Sequence, residues 1–450
     1  MTTLYIILYT AIHLTLDSCL AHSEAHNAEV MNAQLGIAAA TAQKGEALAA
    51  YFPTINLSAF GYQSIRPLVT IGVTDVIGTS EAALKISDMI DWIGGKLGIN
   101  TKYEGFQHGY AAGAQLMQPI YAGGRIVTAN KMAKLGYQAA QAKQQMALRN
   151  NKENVEKAFW QVIGLQEQLA TLQQINLLLD TVERDVRSAV RSGLVTENDL
   201  LKVQLKRGEL ESGMLQVENG IRLTKMNLLN TIGMQFTLFS NDPELPHLDS
   251  IYLEYKALEV DSTVLGNGLE ALSISGLPES QLLDMQVRLR EYEKRMTLGE
   301  ALPQMGLGGS YGYTRLNTTE QWNGVAYVML TIPLTDWGKT ARKMQRQEAQ
   351  IEMAKNDRDY LNSQLLLQVR MLWMNLETAY RQVKVAEQNY ETAQESYNHQ
   401  MAHFRAGMIA VNELLEGETS LRQAAEGRLK ALIAYREALT AYKLRINEAK

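Results

Sequence analysis

The sequence predicts a mainly α, tandem-duplicated protein in which long coiled-coil helices join a few β-strands. Three observations predict this. Only eight prolines occur in 450 residues, and residues 120–242 and 334–450 contain none. Proline breaks helix interiors, so blocks of that length read as very long helices. Apolar residues recur in alternating steps of four and three, as in Leu365, Val369, Leu372, Leu376, Ala379, Val383, Ala386, Tyr390, Ala393 and Tyr397. The series Val155, Ala158, Val162, Leu165, Leu169, Leu172, Ile175, Leu179, Val182, Val186 does the same. Such a seam demands an underwound helix packed on a partner. Finally, the two halves align, at an offset of 214 residues that relates Pro119 to Pro333, Gly193 to Gly407 and Asn198 to Asn412, and at 250 over their starts, which relates Pro53 to Pro303.

Composition narrows the class. Hydrophobic residues make up 46% and charged residues 20%, which places the chain among folded proteins. The net charge of −5 carries no basic bias, so no nucleic-acid partner is expected. One cysteine excludes an intramolecular disulfide and a Cys-rich zinc module.

Residues 1–12, MTTLYIILYTAI, are apolar but too short to span a bilayer as a helix. They read as a truncated or atypical export signal, lacking the basic start and the small-residue cleavage pattern. Cys19 follows Leu16-Asp17-Ser18, where Asp17 spoils a lipid-attachment pattern; an inert, buried thiol is expected.

The first repeat occupies 13–233. A helix runs to Pro53, a strand covers 54–64 and a second strand covers 108–120. Between them lies a surface excursion with a short helix near 80–94 and about 36 residues that the second repeat lacks. A helix pair follows at 124–191 and 195–233. Residues 234–277 read as a loose linker. The second repeat occupies 278–450, with strands at 305–315 and 325–332 and helices at 339–405 and 409–447. Pro53 and Pro303 open the strands, and Pro119, Gly124, Pro333 and Gly338 switch strand to helix. Gly193 and Gly407 stop the first helix of each pair in the manner of a C′ glycine. At 1.5 Å per residue those helices are roughly 100 Å long.

Four strands cannot close a barrel that leaves a channel. Three chains would supply about twelve, a size within the range of membrane barrels. Tyr103, Phe106, Tyr110, Tyr311, Tyr313, Trp322 and Tyr327 suit an aromatic girdle at a membrane interface. The same residues also suit a soluble, Tyr-rich hairpin.

Taken together, these residues resemble the outer-membrane efflux protein family, the TolC-like exit ducts. The carriers are Leu14-Thr15-Leu16-Asp17-Ser18-Cys19, the Phe52-Pro53 and Leu302-Pro303 strand starts, the Pro119-x3-Gly123-Gly124 exit and the turns at Gly193 and Gly407. Each is weak alone; their order and their duplication are specific. The resemblance implies a homotrimer whose short β-barrel sits in outer-membrane lipid. A long α-helical barrel would continue it into the periplasm, closed at the inner tip until a pump engages. It implies that Arg191, Gly193, Leu194 and Val195, with Arg405, Gly407, Met408 and Ile409, meet the hairpins of a periplasmic adaptor linked to an inner-membrane pump. It also implies a periplasmic gate at Glu413 and Glu416, aided by Phe404 and, from the first repeat, Asp199. Ile409 stands where a basic residue can complete that network, and Lys202 stands opposite Glu416 in the repeat. Independently of the resemblance, three copies of Glu413 and Glu416 around an axis would repel one another and attract cations. A solvated helix face is the plainer reading.

No catalytic constellation is present, so no enzyme is expected. His399 and His403, like His22 and His26, have helical spacing for a shared metal but no third ligand, so neither metal nor cofactor is expected. The glycines at 306, 308, 309 and 312 lack the Lys-Ser/Thr of a phosphate loop. The expected function is therefore a passive exit duct for small molecules. A duct for type I protein secretion shares this architecture. A soluble coiled-coil scaffold is the reading of another class, and it leaves the strand pairs unexplained.

Overall fold

The computed structural model describes residues 12–66, 69–71, 73–99, 101, 103–105, 108–238, 245–255, 260, 274–316 and 319–449. In chain order its elements are β1 (Ile12–Thr15), α1 (Leu16–His26), α2 (Ala28–Ala49), β2 (Thr54–Gln63), β3 (Val69–Ile71), α3 (Val73–Ile77), α4 (Glu81–Leu97), β4 (Tyr103–Gly105) and β5 (His108–Ala122). Then follow α5 (Arg125–Arg191), α6 (Glu197–Thr231), β6 (Ile251–Glu254), α7 (Pro278–Glu300), β7 (Gln304–Leu316), β8 (Thr319–Thr331), α8 (Lys339–Arg405) and α9 (Val411–Ala449). The chain divides into two compact units, each assembled from both repeats.

The first unit comprises residues 1–41, 135–288 and 352–450. Its helices pack along the heptad seams. Val155, Val162, Leu179, Val182 and Val186 of α5 are fully buried, as are Leu376 and Val383 of α8. Burying a side chain of this kind contributes about 1.5–3 kcal/mol, so the seam is the main source of helix stability. One core cluster joins Val155, Phe159 and Ile163 to Leu228, Leu229 and Cys19; another joins Leu376 and Val383 to Tyr435, Leu439 and Tyr442. Glu279, at the start of α7, accepts from Arg149 at 2.6 Å and from Arg445 at 2.5 Å, which ties α7 to α5 and α9.

Two expectations change here. Residues 1–11 of the expected export signal lie outside the described residues, but Ile12 belongs to β1, which pairs in parallel with β6. The expected loose linker therefore docks: Leu248, Ile251 and Leu253 join the Cys19 cluster, and their burial is what holds the segment. Cys19 is itself fully buried, and burial pushes its thiol up to about 11.

The second unit comprises residues 42–134 and 289–351, and its main element is a four-stranded antiparallel sheet in the order β2–β5–β7–β8. Its register sorts the side chains by face. Ile55, Leu116, Gly309 and Ala326 form one row; Leu57, Ala114, Tyr311 and Gly324 the next; Ala59, Ala112, Tyr313 and Trp322 a third. The intervening rows carry Asn56, Gln115, Ser310 and Val325, then Ser58, Gly113, Gly312 and Asn323. One face is thus apolar and aromatic, the other mostly polar. Gly113 and Gly312 are cross-strand partners, and a Cβ on either would run into the other's strand.

The strand ends also differ from expectation. β5 runs to Ala122, two residues past the expected 120, across a bulge between Pro119 and Tyr121 where proline's missing donor is tolerated. The switch to α5 is made at Gly123 and Gly124, with φ of +62° and +76°. In the second repeat it is made at Trp337 and Gly338, with φ of +55° and +80°. β8 begins at Thr319 rather than 325, because cross-strand pairs hold its polar start: Arg315 bonds Glu320 at 2.9 Å, and Tyr311 and Tyr313 lie 5.5 Å from Trp322. The excursion holds α3, α4 and the β3–β4 pair. Tyr103 belongs to that small pair, not to the main sheet, and Phe106 lies outside the described residues.

Gly123 tests the junction. Its Cβ would meet the carbonyl of Gly299, and its φ disfavours any L side chain. Gly123→Ala should lower the thermal midpoint of the detergent-solubilised protein by the equivalent of at least about 1–2 kcal/mol. Gly36→Ala, in an open helical position, should raise it by about 0.5–1 kcal/mol. Circular dichroism melts of both variants check the pair.

Candidate functional site: two matched turns and a two-faced sheet

The two turns that end α5 and α8 have one geometry. At the first, Gly193 takes φ +73°, its N–H donates to Val190 at 3.0 Å, and Leu194 N–H donates to Ala189 at 2.9 Å. At the second, Gly407 takes φ +72°, its N–H donates to Phe404 at 2.9 Å, and Met408 N–H donates to His403 at 2.9 Å. This nested pair of bonds is the Schellman arrangement; only glycine reaches the left-handed conformation without strain. The residues after each glycine also match. Leu194 and Met408 are 78% and 70% exposed, whereas Val195 and Ile409 turn inward onto the tip core. Arg191 and Arg405 both lie on the exposed side.

Beneath the turns, Phe404 is buried with Val186, Val203, Tyr397, Val411 and Leu414. The Phe404 ring fills the core of the tip within one chain. Arg405 Nε lies 3.1 Å from Asp185 Oδ2, which joins the last turn of α8 to α5. Asp185 and Arg405, with Ser188, Leu194 and Gly407, line a groove of about 670 Å³ between the turns. One turn deeper, Glu183 accepts from Arg187 at 2.6 Å and also from Arg207, and these bonds hold its carboxyl below the usual range despite burial.

The acids of the two repeats are in different situations. Asp199 is committed to the start of α6. Thr196 Oγ1 donates to it at 2.7 Å, Thr196 N–H at 3.2 Å, and Lys202 lies at 3.4 Å. The Thr196 hydroxyl, above all, lowers its pKa. Asp199 is therefore a capping residue within its own chain. At the same point of the second repeat Ala410 has no hydroxyl, so no cap captures Glu413. Glu413 and Glu416 are exposed, and no ion pair engages them among the described residues. Sequence reasoning missed Asp185 and Glu183; the Glu183–Arg187 spacing of four was the one local signal available.

In the second unit, the apolar rows of the sheet are open. Ile55 is 69% exposed and Leu57 85%, and Tyr311, Trp322, Val328 and Leu330 are exposed with them. Strands of 10 to 15 residues are long enough to cross a bilayer when tilted. No described helix is long and apolar enough to do so.

These features define a protein that crosses a membrane by strands and extends from it by coiled-coil helices. The family model for outer membrane efflux proteins matches residues 20–207 and 279–444, and the chain belongs to that family. It is an outer-membrane exit duct of efflux systems that extends into the periplasm, and the family's members are channels rather than enzymes. No curated protein matches it by sequence. Among solved structures it is similar to the outer membrane protein VceC of Vibrio cholerae, with 14% identity, a TM-score of 0.72 and coverage of 96% of this chain and 95% of that one. It is similar to the Campylobacter jejuni CmeC outer membrane channel, with 15% identity, a TM-score of 0.71 and coverage of 96% and 86%. It is also similar to the open state of the Neisseria gonorrhoeae MtrE outer membrane channel, with 14% identity, a TM-score of 0.70 and coverage of 96% and 88%. At such identities the likeness is one of fold.

The Asp199 cap gives a pH signature. A carboxyl whose pKa is lowered on folding contributes stability that is complete above the unfolded pKa, about 3.9, and lost as pH falls through the folded one. Thr196→Ala should cost about 1 kcal/mol near neutrality. The gap in melting midpoint between wild type and Asp199→Asn should narrow on acidification toward about pH 3. A gap that stays constant would show that the Asp199 charge contributes nothing.

Proposed function

We propose that three copies close their sheets into one barrel and form a passive duct, engaged in the periplasm by an adaptor and an inner-membrane pump. The observation that carries this reading is the sheet itself, with an apolar face and two unpaired edges, β2 and β8. Joining β8 of one copy to β2 of the next satisfies both edges and turns the apolar rows to lipid. Energy comes from the pump, because the duct's own part is to hold a path and a gate.

The exposed Leu194 and Met408, each set beside a glycine turn, are the adaptor-contacting tips in this reading, flanked by Arg191 and Arg405. Glu413 and Glu416 form the gate: three copies place six carboxylates around the axis, which attract cations and repel one another. The efflux family match favours small-molecule cargo over protein secretion. Deleting the gene and assaying drug sensitivity and secreted protein separates the two.

Two experiments test the residue roles. Glu413→Ala combined with Glu416→Ala should raise basal conductance in a planar bilayer, or weaken block by divalent cations; conductance and block equal to wild type would remove the gate assignment. Gly193→Pro and Gly407→Pro cannot adopt positive φ, so each turn would re-form differently. Both should abolish efflux in cells while the trimer still assembles in detergent; retained drug resistance would refute the tip assignment.

A further inference from the structure

Behind the tip, in the same unit, a cavity of about 340 Å³ lies between α5, α6 and α9. Leu165 and Leu172 of α5 and Leu210 and Val217 of α6 give it apolar walls. Its one deeply buried polar group is Glu418 of α9, only 2% exposed. Thr419 Oγ1 is 3.4 Å from Glu418 Oε2, but Oε1 makes no hydrogen bond. The cations around it are engaged elsewhere. Lys206 sits 3.3 Å from Glu209, and Arg422 sits 3.2 Å from Glu426 while its Nε is 3.9 Å from Glu418 Oε1. Three carboxylates thus share two cations, and the carboxylate left short is the one removed from water. A buried charge without a close partner is costly, so the site favours whatever supplies one.

We propose that this cavity binds a monovalent organic cation, a protonated amine on an apolar stem, with Glu418 as its counter-ion and the leucines around the stem. The neighbouring charges on the walls are Lys206 and Glu209 on α6 and Arg422 and Glu426 on α9; α5 contributes Gln168 and apolar groups. Tyr397 of α8 stands near Glu418 with its hydroxyl also buried and without a partner. This hydroxyl, which carries no charge, cannot compensate a carboxylate as an ammonium can. Desolvation pushes the Glu418 carboxyl upward against the pull of Arg422 and Lys206. A bound ammonium favours the carboxylate, so binding releases a proton wherever the acid was protonated beforehand. The site stands apart from the Glu413 and Glu416 gate and does not depend on the duct reading.

The test is isothermal titration of the full-length protein in detergent with n-pentylammonium, with n-pentanol as the neutral control, in two buffers of different ionisation enthalpy. Wild type should bind the amine and not the alcohol. Glu418→Gln keeps the shape and removes the charge; it should weaken binding by about tenfold or more, and any proton release seen with wild type should be absent. Gly213→Leu fills the cavity from the α6 wall, where a Cβ meets nothing, and should weaken binding with Glu418 intact. Acetyl-lysine methylamide, tested in parallel, separates the two sources of such a cation: binding comparable to pentylammonium assigns a partner's lysine, and much weaker binding assigns a free amine. Failure of wild type to bind either amine, equal binding of the alcohol, or unchanged affinity in both Glu418→Gln and Gly213→Leu would overturn the proposal. If Glu418→Gln does not fold, Gly213→Leu decides alone.

Discussion

The outer edges of the sheet, β2 and β8, each carry a row of backbone N–H and C=O groups that no strand among the described residues pairs. Hydrocarbon offers such groups no partner, and each one left unsatisfied there costs several kcal/mol. Water would satisfy the edges but not the exposed Ile55, Leu57, Tyr311 and Trp322. The sheet is therefore comfortable in neither solvent as a single chain. Closure with further copies removes both difficulties together, since it pairs the edges and gives the apolar rows to lipid. Much else follows from that requirement. Gly113 faces Gly312 so that the strands can approach, and the bulge at Pro119 lets β5 run on to the glycines that start α5.

Duplication accounts for the symmetry of the chain but not for its chemistry. The two turns share glycine φ, nested hydrogen bonds, an exposed Leu194 or Met408 and an inward Val195 or Ile409. These are backbone constraints, and both repeats retain them. The acids that follow obey no such constraint. Thr196 beside Asp199 makes a cap, whereas Ala410 beside Glu413 makes none, so one carboxylate is bound to its own helix and the other is free. One substitution at the N-cap thus decides whether a carboxylate stabilises a helix or faces solvent.

The sequence made the periodic parts plain. The heptad seams on α5 and α8 are the buried faces, because a 4–3 apolar spacing has one packing solution. What it hid was non-periodic or distant. The first residues of β8 are polar and carry no strand pattern of their own; Glu320 and Trp322 are held by Arg315 and Tyr313 across the hairpin. The bulge between Pro119 and Tyr121 leaves no mark in sequence, because a bulged position tolerates proline. β1 pairs with β6 from the far side of the first repeat, and Arg405 meets Asp185 across 220 residues, so no local window contains either contact. The Asp199 cap was legible, since Thr-x-x-Asp is a helix-start pattern.

The strength of the tip is divided unequally between charge and packing. Arg405 and Asp185 are 57% and 36% exposed, so solvent screens the pair and it contributes up to about 1 kcal/mol. Phe404, Val186, Val411 and Leu414 are buried together and supply several times as much. The hairpins are therefore held by an apolar core and aligned by a weak ion pair. A partner that docks on Leu194 and Met408 moves one hairpin against the other only by sliding that core, because Val186 and Val203 on the first hairpin pack there against Phe404, Val411 and Leu414 on the second. Apolar contacts are non-directional, so a slide that keeps them covered costs less than their loss, and the screened ion pair adds little resistance. Were the energies reversed, with the charges buried and the phenyl ring exposed, separating the hairpins would strand an unpaired charge and cost far more.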